Sequence, residues 1–352
     1  MAKWDTQHYL AIAFDGYVEG HGGLPPAPNR PAFFPLFPGL VHLVSGFGAS
    51  PAAVLIAAYA VSLVCFFGAL VLLQRLTVIE LGERYVKPVL LLLAFFPTAL
   101  FYGIPYTESL FLLLAVAAFL AARTGRWAIA GTVLALASAT RVQGLLLIVP
   151  VALLYLYGPR ADRDPAPSRG LRPRYRIRPE AAWLLLAPLG VVAFSAYLHF
   201  AQGDTFAWLH AQEVFGRHTV DPLTGIWNGL REAGESVGDV VEGTYSGTSF
   251  DHLNIEELAF VTLAVVGGIG ALRILPVAYG SWVLLSLVPI FVSQPTENPL
   301  WSSSRFVAVL FPIFLWLAVV CERRRSTTTV VALFAAGLAL FTADFALWSF
   351  VA

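Results

Sequence analysis

Charged residues are scarce in this chain. Only 12% of its 352 residues are Asp, Glu, Lys or Arg, whereas 58% are hydrophobic. Soluble domains carry about 25% charged residues, so a chain of this composition cannot cover an ordinary water-facing surface. Most of its surface is therefore expected to face lipid. The formal net charge is zero, which provides no general attraction to nucleic acid.

Cysteine and lysine are almost absent as well. The two cysteines, Cys65 and Cys321, lie in apolar runs, which argues against a disulfide framework and against a cysteine metal site. Lys3 and Lys87 are the only lysines, so the basic residues are nearly all arginine, as is typical of GC-rich prokaryotic genomes. No apolar segment follows Lys3 as a cleavable signal peptide would require.

Several familiar chemical motifs are missing from the sequence. No spacing resembles a metal site or a nucleophile triad, and no glycine-rich phosphate loop is present. We therefore predict neither a metal nor a nucleotide cofactor. His42 and His199 occur in apolar runs and are interpreted as structural histidines.

What the sequence does contain is a series of apolar runs long enough, or nearly long enough, to cross a bilayer. They predict an all-α polytopic membrane protein with about ten membrane helices in a single membrane domain over 1–352. The runs fall near 51–74, 86–101, 108–122, 127–141, 143–158, 181–202, 256–274, 276–293, 306–321 and 327–349. Segment 33–48 is short and contains two prolines, so it is predicted to be re-entrant or interfacial.

The distribution of arginine predicts the orientation of these runs. Segment 159–180 is an Arg-rich linker and is assigned to the cytoplasm. The acidic segment 203–255 is assigned to an outer loop, and 1–50 to an outer N-terminal motif region. Ten crossings also place 102–107, 141–144 and 294–304 outside. The unusual polar residues of the chain are thereby expected to converge on one face.

The first candidate site is the N-terminal segment. On a helix, Trp4, Asp5, His8 and Tyr9 would share roughly one face, since such neighbours lie three and four residues apart. This arrangement would present a carboxylate flanked by aromatic rings. In the alternative interpretation, Asp5 simply caps the helix.

Three further charged residues stand at the ends of apolar runs. Glu108 follows Tyr106 and opens an apolar helix, where it is either functional or a favourable charge at a helix N-terminus. Arg141, with Gln143, separates two apolar runs and is a functional candidate or a structural partner of a carboxylate. Arg305 stands at the outer end of a span, where it is functional or extends to lipid phosphate.

Three segments together resemble a known family. They are Trp4-Asp5-x-x-His8-Tyr9-Leu10-x-Ile12-Ala13-x-x-Gly16-Tyr17, then Ala32-Phe33-Phe34-Pro35-Leu36-Phe37-Pro38, then Phe96-Pro97 through Tyr106-x-Glu108-Ser109-Leu110-Phe111. Over roughly residues 4–145 the chain is similar to the phosphatidylinositol-glycan class V (PIG-V) mannosyltransferases. That family includes GPI mannosyltransferase 2 and its prokaryotic relatives and belongs to the GT-C superfamily of multi-spanning glycosyltransferases.

The resemblance implies a mannosyltransferase of GPI-anchor-like glycolipid biosynthesis. Its donor would be polyprenyl- or dolichyl-phosphate mannose, and its acceptor a hydroxyl of a lipid or glycan presented outside. The membrane would be the prokaryotic plasma membrane, or that of the endoplasmic reticulum in a eukaryote. The family's acidic residue in the first outer loop is the catalytic base, and Asp5 occupies that position.

The remaining roles follow from the chemistry of displacing a lipid phosphate, which needs cations for the leaving group. Arg141 and Arg305 are the predicted ligands of the donor phosphate. The predicted substrate-binding candidates are Trp4, His8, Tyr9, Tyr106, Glu108, Gln143 and Gln212.

Two features depart from the family pattern. Its members carry a membrane span before the Trp-Asp motif, whereas only three residues precede Trp4 here. The family's Arg-Ser-Asn-Gly block reads Arg141-Val142-Gln143-Gly144. Two other classes of function stay open at this point, a membrane transporter or lipid flippase, and a non-catalytic partner of another membrane enzyme.

Overall fold

A computed structural model of the protein describes residues 4–17, 29–165, 172–242, 251–295 and 298–347. It is 75% helical with almost no sheet. The predicted all-α class is therefore confirmed.

The N-terminal half consists of short helices around one long one. Two 3-10 turns, Arg30–Ala32 and Glu83–Tyr85, lie among them. The helices are α1 (Asp5–Asp15), α2 (Leu36–Val44), α3 (Pro51–Leu81), α4 (Val86–Ala94), α5 (Leu100–Gly103), α6 (Glu108–Arg123), α7 (Trp127–Ser138), α8 (Gln143–Leu146) and α9 (Ile148–Tyr157).

The C-terminal half adds nine helices and a small sheet within the described ranges. The 3-10 segments are Pro179–Leu186 and Glu213–Phe215, and the strands are β1 (Arg217–Thr219) and β2 (Ser293–Pro295). The helices are α10 (Leu189–Gln202), α11 (Ala207–His210), α12 (Pro222–Glu242), α13 (Asp251–Ile274), α14 (Val277–Ser286), α15 (Val288–Val292), α16 (Ser303–Ala308), α17 (Pro312–Arg324) and α18 (Thr327–Ala346).

Helix α6 forms the centre of the bundle. Its residues Leu112, Ala115 and Phe119 are completely buried, and it packs against α3 on one side and α7 on the other. A helix that is apolar all round must be enclosed by other helices or by lipid, and here protein encloses it. The N-terminal end of α6 therefore holds Glu108 deep within the molecule.

The outer surface of the bundle is apolar, as a lipid-facing surface should be. On α3, Ile56, Val64 and Phe67 are each about 70% exposed, and no residue in the apolar window of α18 is buried. The sequence of α18 is nonetheless strongly apolar, so its outer surface suits contact with hydrocarbon rather than water.

The described residues contain fewer full-length spans than the sequence predicts. Three helices are long and apolar enough to cross a membrane, namely Pro51–Leu81, Asn254–Ile274 and Thr327–Ala346. The pair Pro179–Leu186 and Leu189–Gln202, bent by 40°, raises the number to four if it forms one span. The predicted count of about ten is not confirmed, because several predicted runs fold as shorter helices interrupted at proline or glycine.

A two-stranded antiparallel sheet connects the segment before α12 to the loop before α16. Arg217 pairs with Pro295, His218 with Gln294 and Thr219 with Ser293. Asn298 to Ser302 then lead into α16. The sheet thus fixes the position of β1 relative to Arg305, on which the site depends.

Candidate active site

Helix α1 positions Asp5 at the edge of the bundle. The helix packs on α2 and α3 and buries Tyr9, Ile12 and Ala13. Its first residue, Asp5, accepts a hydrogen bond from Nη1 of Arg305 at 2.6 Å. Its carboxylate is therefore engaged by an arginine 300 residues away, rather than by the backbone N–H groups that a helix-capping role would use.

Glu108 connects this ion pair to a second arginine. Its side chain is completely buried, and its Oε1 accepts from Nη2 of Arg141 at 2.8 Å. The same oxygen lies 3.1 Å from Nε of Arg305. The four residues form one chain of alternating charge, Asp5–Arg305–Glu108–Arg141, which we call the charge network. Two carboxylates balance two guanidinium groups in it, as buried charges require.

A break in the helices brings Arg141 to Glu108. Helix α7 ends at Ser138 and α8 begins at Gln143, so Arg141 lies in the turn between them. A Cβ atom at Gly144 would come within 2.1 Å of the carbonyl oxygen of Ala137. Only glycine permits this close approach, which gives a physical reason for the Arg-x-x-Gly pattern.

Aromatic rings surround both arginines. The guanidinium of Arg305 lies 5.2 Å from the ring centre of Tyr106, and that of Arg141 lies 5.0 Å from the ring of Phe306. Such contacts stabilise a cation when water is excluded. Both guanidinium groups are largely buried, with side chains 11% exposed. Arg305 is thus held within the protein and does not extend into lipid.

The two tyrosines of the site remain neutral. Burial, and then the charge of Asp5, raises the pKa of Tyr9 well above its ordinary value. The same two causes raise the pKa of Tyr106. The tyrosine rings lie 6.3 Å apart. Each phenol is therefore a hydrogen-bond donor and not a competing anion at neutral pH.

His8 lies one helical turn after Asp5. Its ring stacks on Phe33 with centres 4.7 Å apart, and it makes an edge contact with Phe215, two residues before β1. Burial lowers the pKa of His8, although the charge of Asp5 acts in the opposite direction. The imidazole is consequently neutral at pH 7, so it adds a proton acceptor beside Asp5 but no positive charge.

Some buried polar atoms of the charge network lack hydrogen-bond partners among the described residues. They are Oε2 of Glu108 and Nη1 of Arg141. Leaving such atoms unsatisfied is costly in a protein interior. Both atoms belong to the buried pair of Glu108 with Arg141, where polar atoms of a ligand or water would satisfy them.

Strained backbone adjoins both ends of the charge network. Trp4 has a φ angle of 53° and Ser302 a φ angle of 70°. Residues other than glycine rarely adopt such positive φ angles. These residues directly precede Asp5 and the short helix that carries Arg305. Strain of this kind persists only where surrounding contacts fix it, and it is concentrated at functional sites.

The remaining predicted residues lie close to the charge network but differ in their contacts. Trp4 is 39% exposed. Gln143 is buried at the start of α8, and the backbone carbonyl of Gln212 accepts from the N–H of Arg217. In the described parts of the chain, the side chains of Gln143 and Gln212 make no hydrogen bond to the charge network.

Two charged residues near the site are missing from the sequence prediction. Glu257 of α13 is buried and accepts hydrogen bonds from the backbone N–H of Ser304 at 2.5 Å and from its hydroxyl at 3.0 Å. It thereby anchors the residue before Arg305. A carboxylate in the first turns of an apolar run is the signal that could have identified it. The second residue is Arg217, in β1.

A cavity of about 580 Å³ lies between α1, α2 and α10. Its walls include Ile12, Phe14, Pro38 and Phe194. It opens at the Asp15 end of α1, about 15 Å along the helix from Asp5. The charge network and this cavity are therefore two separate features. The charge network, in which two carboxylates and two guanidinium groups are joined, is the candidate site.

Both histidines of the apolar runs make hydrogen-bond contacts within the protein. His42 contacts the carbonyl of Ala13 at 2.7 Å, and His199 contacts the hydroxyl of Thr205. The described residues contain no group of three or more His, Cys, Asp or Glu that could hold a metal ion.

Comparison with known proteins agrees with the motifs. The model of the family described as mannosyltransferase (PIG-V) matches residues 1–156. The predicted resemblance to the PIG-V family is confirmed. The match contains three members of the charge network and ends before the fourth, Arg305. It supports a glycosyltransferase associated with a membrane. Searches of curated proteins and of solved structures found no match.

Proposed function

We propose that this protein is a membrane mannosyltransferase of PIG-V type with Asp5 as its general base. It transfers mannose from polyprenyl- or dolichyl-phosphate mannose to a hydroxyl group of a lipid or glycan on the extracytoplasmic face. The observation that carries the proposal is the charge network. It places a carboxylate at the edge of the bundle in contact with an arginine that can bind a phosphate.

The reaction requires two groups that the charge network contains. The acceptor oxygen attacks C1 of mannose, and its proton passes to the carboxylate of Asp5. The bond between C1 and the phosphate oxygen breaks, and the lipid phosphate leaves with the electron pair. Arg305 and Arg141 stabilise that negative charge. Direct displacement with one base inverts the configuration at C1.

Arg305 links donor binding to the general base, because it contacts Asp5 and is also a predicted ligand of the donor phosphate. In the structure its guanidinium contacts both Asp5 and Glu108. A phosphate oxygen that takes the place of Asp5 on Nη1 would leave the Asp5 carboxylate without its cation. That carboxylate would then be free to accept a hydrogen bond from the acceptor hydroxyl and take its proton. Donor binding would thus prepare Asp5 for the acceptor.

Asp5→Asn tests this assignment in the purified full-length protein. The asparagine is nearly the same size as aspartate and can still cap a helix, but it cannot accept a proton. The variant should fold, bind donor, and turn over about 10²-fold more slowly or worse, the usual loss for a general base. The assay measures transfer from radiolabelled polyprenyl-phosphate mannose to a lipid extract.

The matched control is Asp164→Asn, the same substitution at an exposed aspartate of segment 159–180. It should transfer mannose at a rate close to that of the wild type. If Asp5→Asn is also as active as the wild type, Asp5 is not the base. If the wild-type protein transfers no mannose from this donor but moves the lipid across a vesicle membrane, the protein is a transporter.

A further inference from the structure

A third arginine, Arg217, lies beside the charge network in the outer segment. Its strand β1 pairs with β2, and its Nη2 donates to the carbonyl of Trp301, four residues before Arg305. Two residues earlier, the ring of Phe215 contacts the edge of His8 at 6.1 Å between centres. The segment that carries Arg217 therefore bridges the two elements that supply Asp5 and Arg305.

The bonding of Arg217 differs from that of the other two arginines. Arg141 and Arg305 each contact a carboxylate. Arg217 donates to neutral carbonyls, those of Ser293 at 2.9 Å and Trp301 at 3.2 Å. Among the described residues no carboxylate forms an ion pair with it. Two of its five N–H groups are used in these bonds, which leaves three for a ligand.

The surroundings of Arg217 make this positive charge unfavourable without a ligand. Burial, followed by the charge of Arg305, lowers the pKa of Arg217 to about 10, while Asp5 and Glu257 raise it. The group is still a cation at pH 7. Two guanidinium groups within electrostatic range of each other, one of them without a carboxylate, form a site that an anion would stabilise.

We propose that Arg217 binds the phosphate of a lipid substrate, as a third cation beside Arg305. The inference rests on the proposed function and adds a residue to its phosphate site. Two sources share the required chemistry, an anionic phosphate on a lipid chain. One is the phosphodiester of the sugar donor, and the other is the headgroup of an anionic phospholipid acceptor.

A binding measurement tests Arg217 without relying on catalysis. The purified full-length protein in detergent micelles is titrated with farnesyl phosphate and, separately, with uncharged farnesol. Arg217→Gln should weaken binding of farnesyl phosphate about tenfold, the loss expected for one hydrogen bond to a charged group, and leave farnesol binding unchanged. Arg231→Gln is the control, because Arg231 is an exposed arginine of the same outer segment. This variant should bind both probes as the wild type does.

Steady-state kinetics then distinguish the two sources. A KM raised for polyprenyl-phosphate mannose alone assigns Arg217 to the donor, and a KM raised for the lipid extract alone assigns it to the acceptor. Either result supports the inference. A purely structural role would instead lower the thermal midpoint and kcat with both KM values unchanged, and this result would overturn it.

Failure of the inference and failure of the proposed function give different results. If the wild type transfers mannose and prefers farnesyl phosphate to farnesol, but Arg217→Gln shows the same preference, only the role of Arg217 is wrong. If the wild type transfers no mannose and does not distinguish the two probes, the proposed function itself fails, and with it the phosphate site.

Discussion

Replacing Glu108 by Gln removes the carboxylate that joins Arg141 to Arg305. Glutamine keeps the size of the side chain and one acceptor oxygen, so the substitution changes mainly the charge. Glu108 is completely buried and contacts both guanidinium groups, at 2.8 and 3.1 Å. After the change, three charges remain in place of four, and the two arginines repel each other without the anion between them.

The size of the effect follows from burial and from the number of partners. Removing one partner of a buried ion pair destabilises a protein by about 3–5 kcal/mol, because the other charge stays buried and unpaired. Glu108→Gln should reach this range, since it strips an anion from two cations. Arg141→Gln should cost less, because Glu108 keeps Arg305 as a partner.

The double variant Glu108→Gln/Arg141→Gln isolates the contribution of the pair. It removes one positive and one negative charge and leaves Asp5 paired with Arg305. We expect it to be less destabilised than the sum of the single variants by about 1–3 kcal/mol, the usual coupling between residues in one ionic network.

Unfolding of the purified protein by denaturant in mixed micelles, followed by tryptophan fluorescence, measures these free energies. Glu232→Gln is the matched control. Glu232 also contacts an arginine, at 2.6 Å from Nη2 of Arg231, but at the surface, so its loss should change stability little. Single variants as stable as the wild type, or a double variant whose destabilisation is simply additive, would show that the buried network is not coupled.

Two further predictions follow from the sequence and from the position of the arginines. Arg305→Lys keeps a positive charge but loses the planar group that contacts Asp5 and Glu108 together. It should therefore retain more transfer activity than Arg305→Ala. If both variants are as active as the wild type, Arg305 does not bind the donor phosphate. For topology, Ser246→Cys should react with a membrane-impermeant thiol reagent in intact cells and Ser168→Cys should not, and the reverse pattern would overturn the orientation. Both serines lie outside the described residues.

The members of the charge network could be identified from the sequence by two signals. Glu108, Arg141 and Arg305 stand at the ends of apolar runs, where a charge is expensive unless it is paired or functional, and Asp5 belongs to the Trp-Asp motif. The sequence could not specify which carboxylate contacts which arginine, because those contacts join residues up to 300 positions apart.

The parts that sequence reasoning missed have no such signal. Arg217 lies in a polar segment, where an arginine is common, and its position emerges only from the pairing of β1 with β2. Some helix lengths were also overestimated, because hydropathy does not register a break such as that between Ala94 and Leu100, inside the predicted run 86–101. Hydropathy measures the preference of a residue for lipid over water, whereas proline, glycine and tertiary contacts decide where a helix stops.

The charge network also extends the site beyond the part of the chain that matches the PIG-V family. Residues 1–156 supply Asp5, Glu108 and Arg141, so they contain two carboxylates but one of the two arginines. Without Arg305 the carboxylate of Asp5 would have no cation, and Glu108 would keep one partner instead of two. The C-terminal half must therefore hold α16 in place for the N-terminal motifs to form a balanced site, and Glu257 does so through Ser304. Both halves of the chain consequently contribute residues to the candidate site, although the family match ends at residue 156.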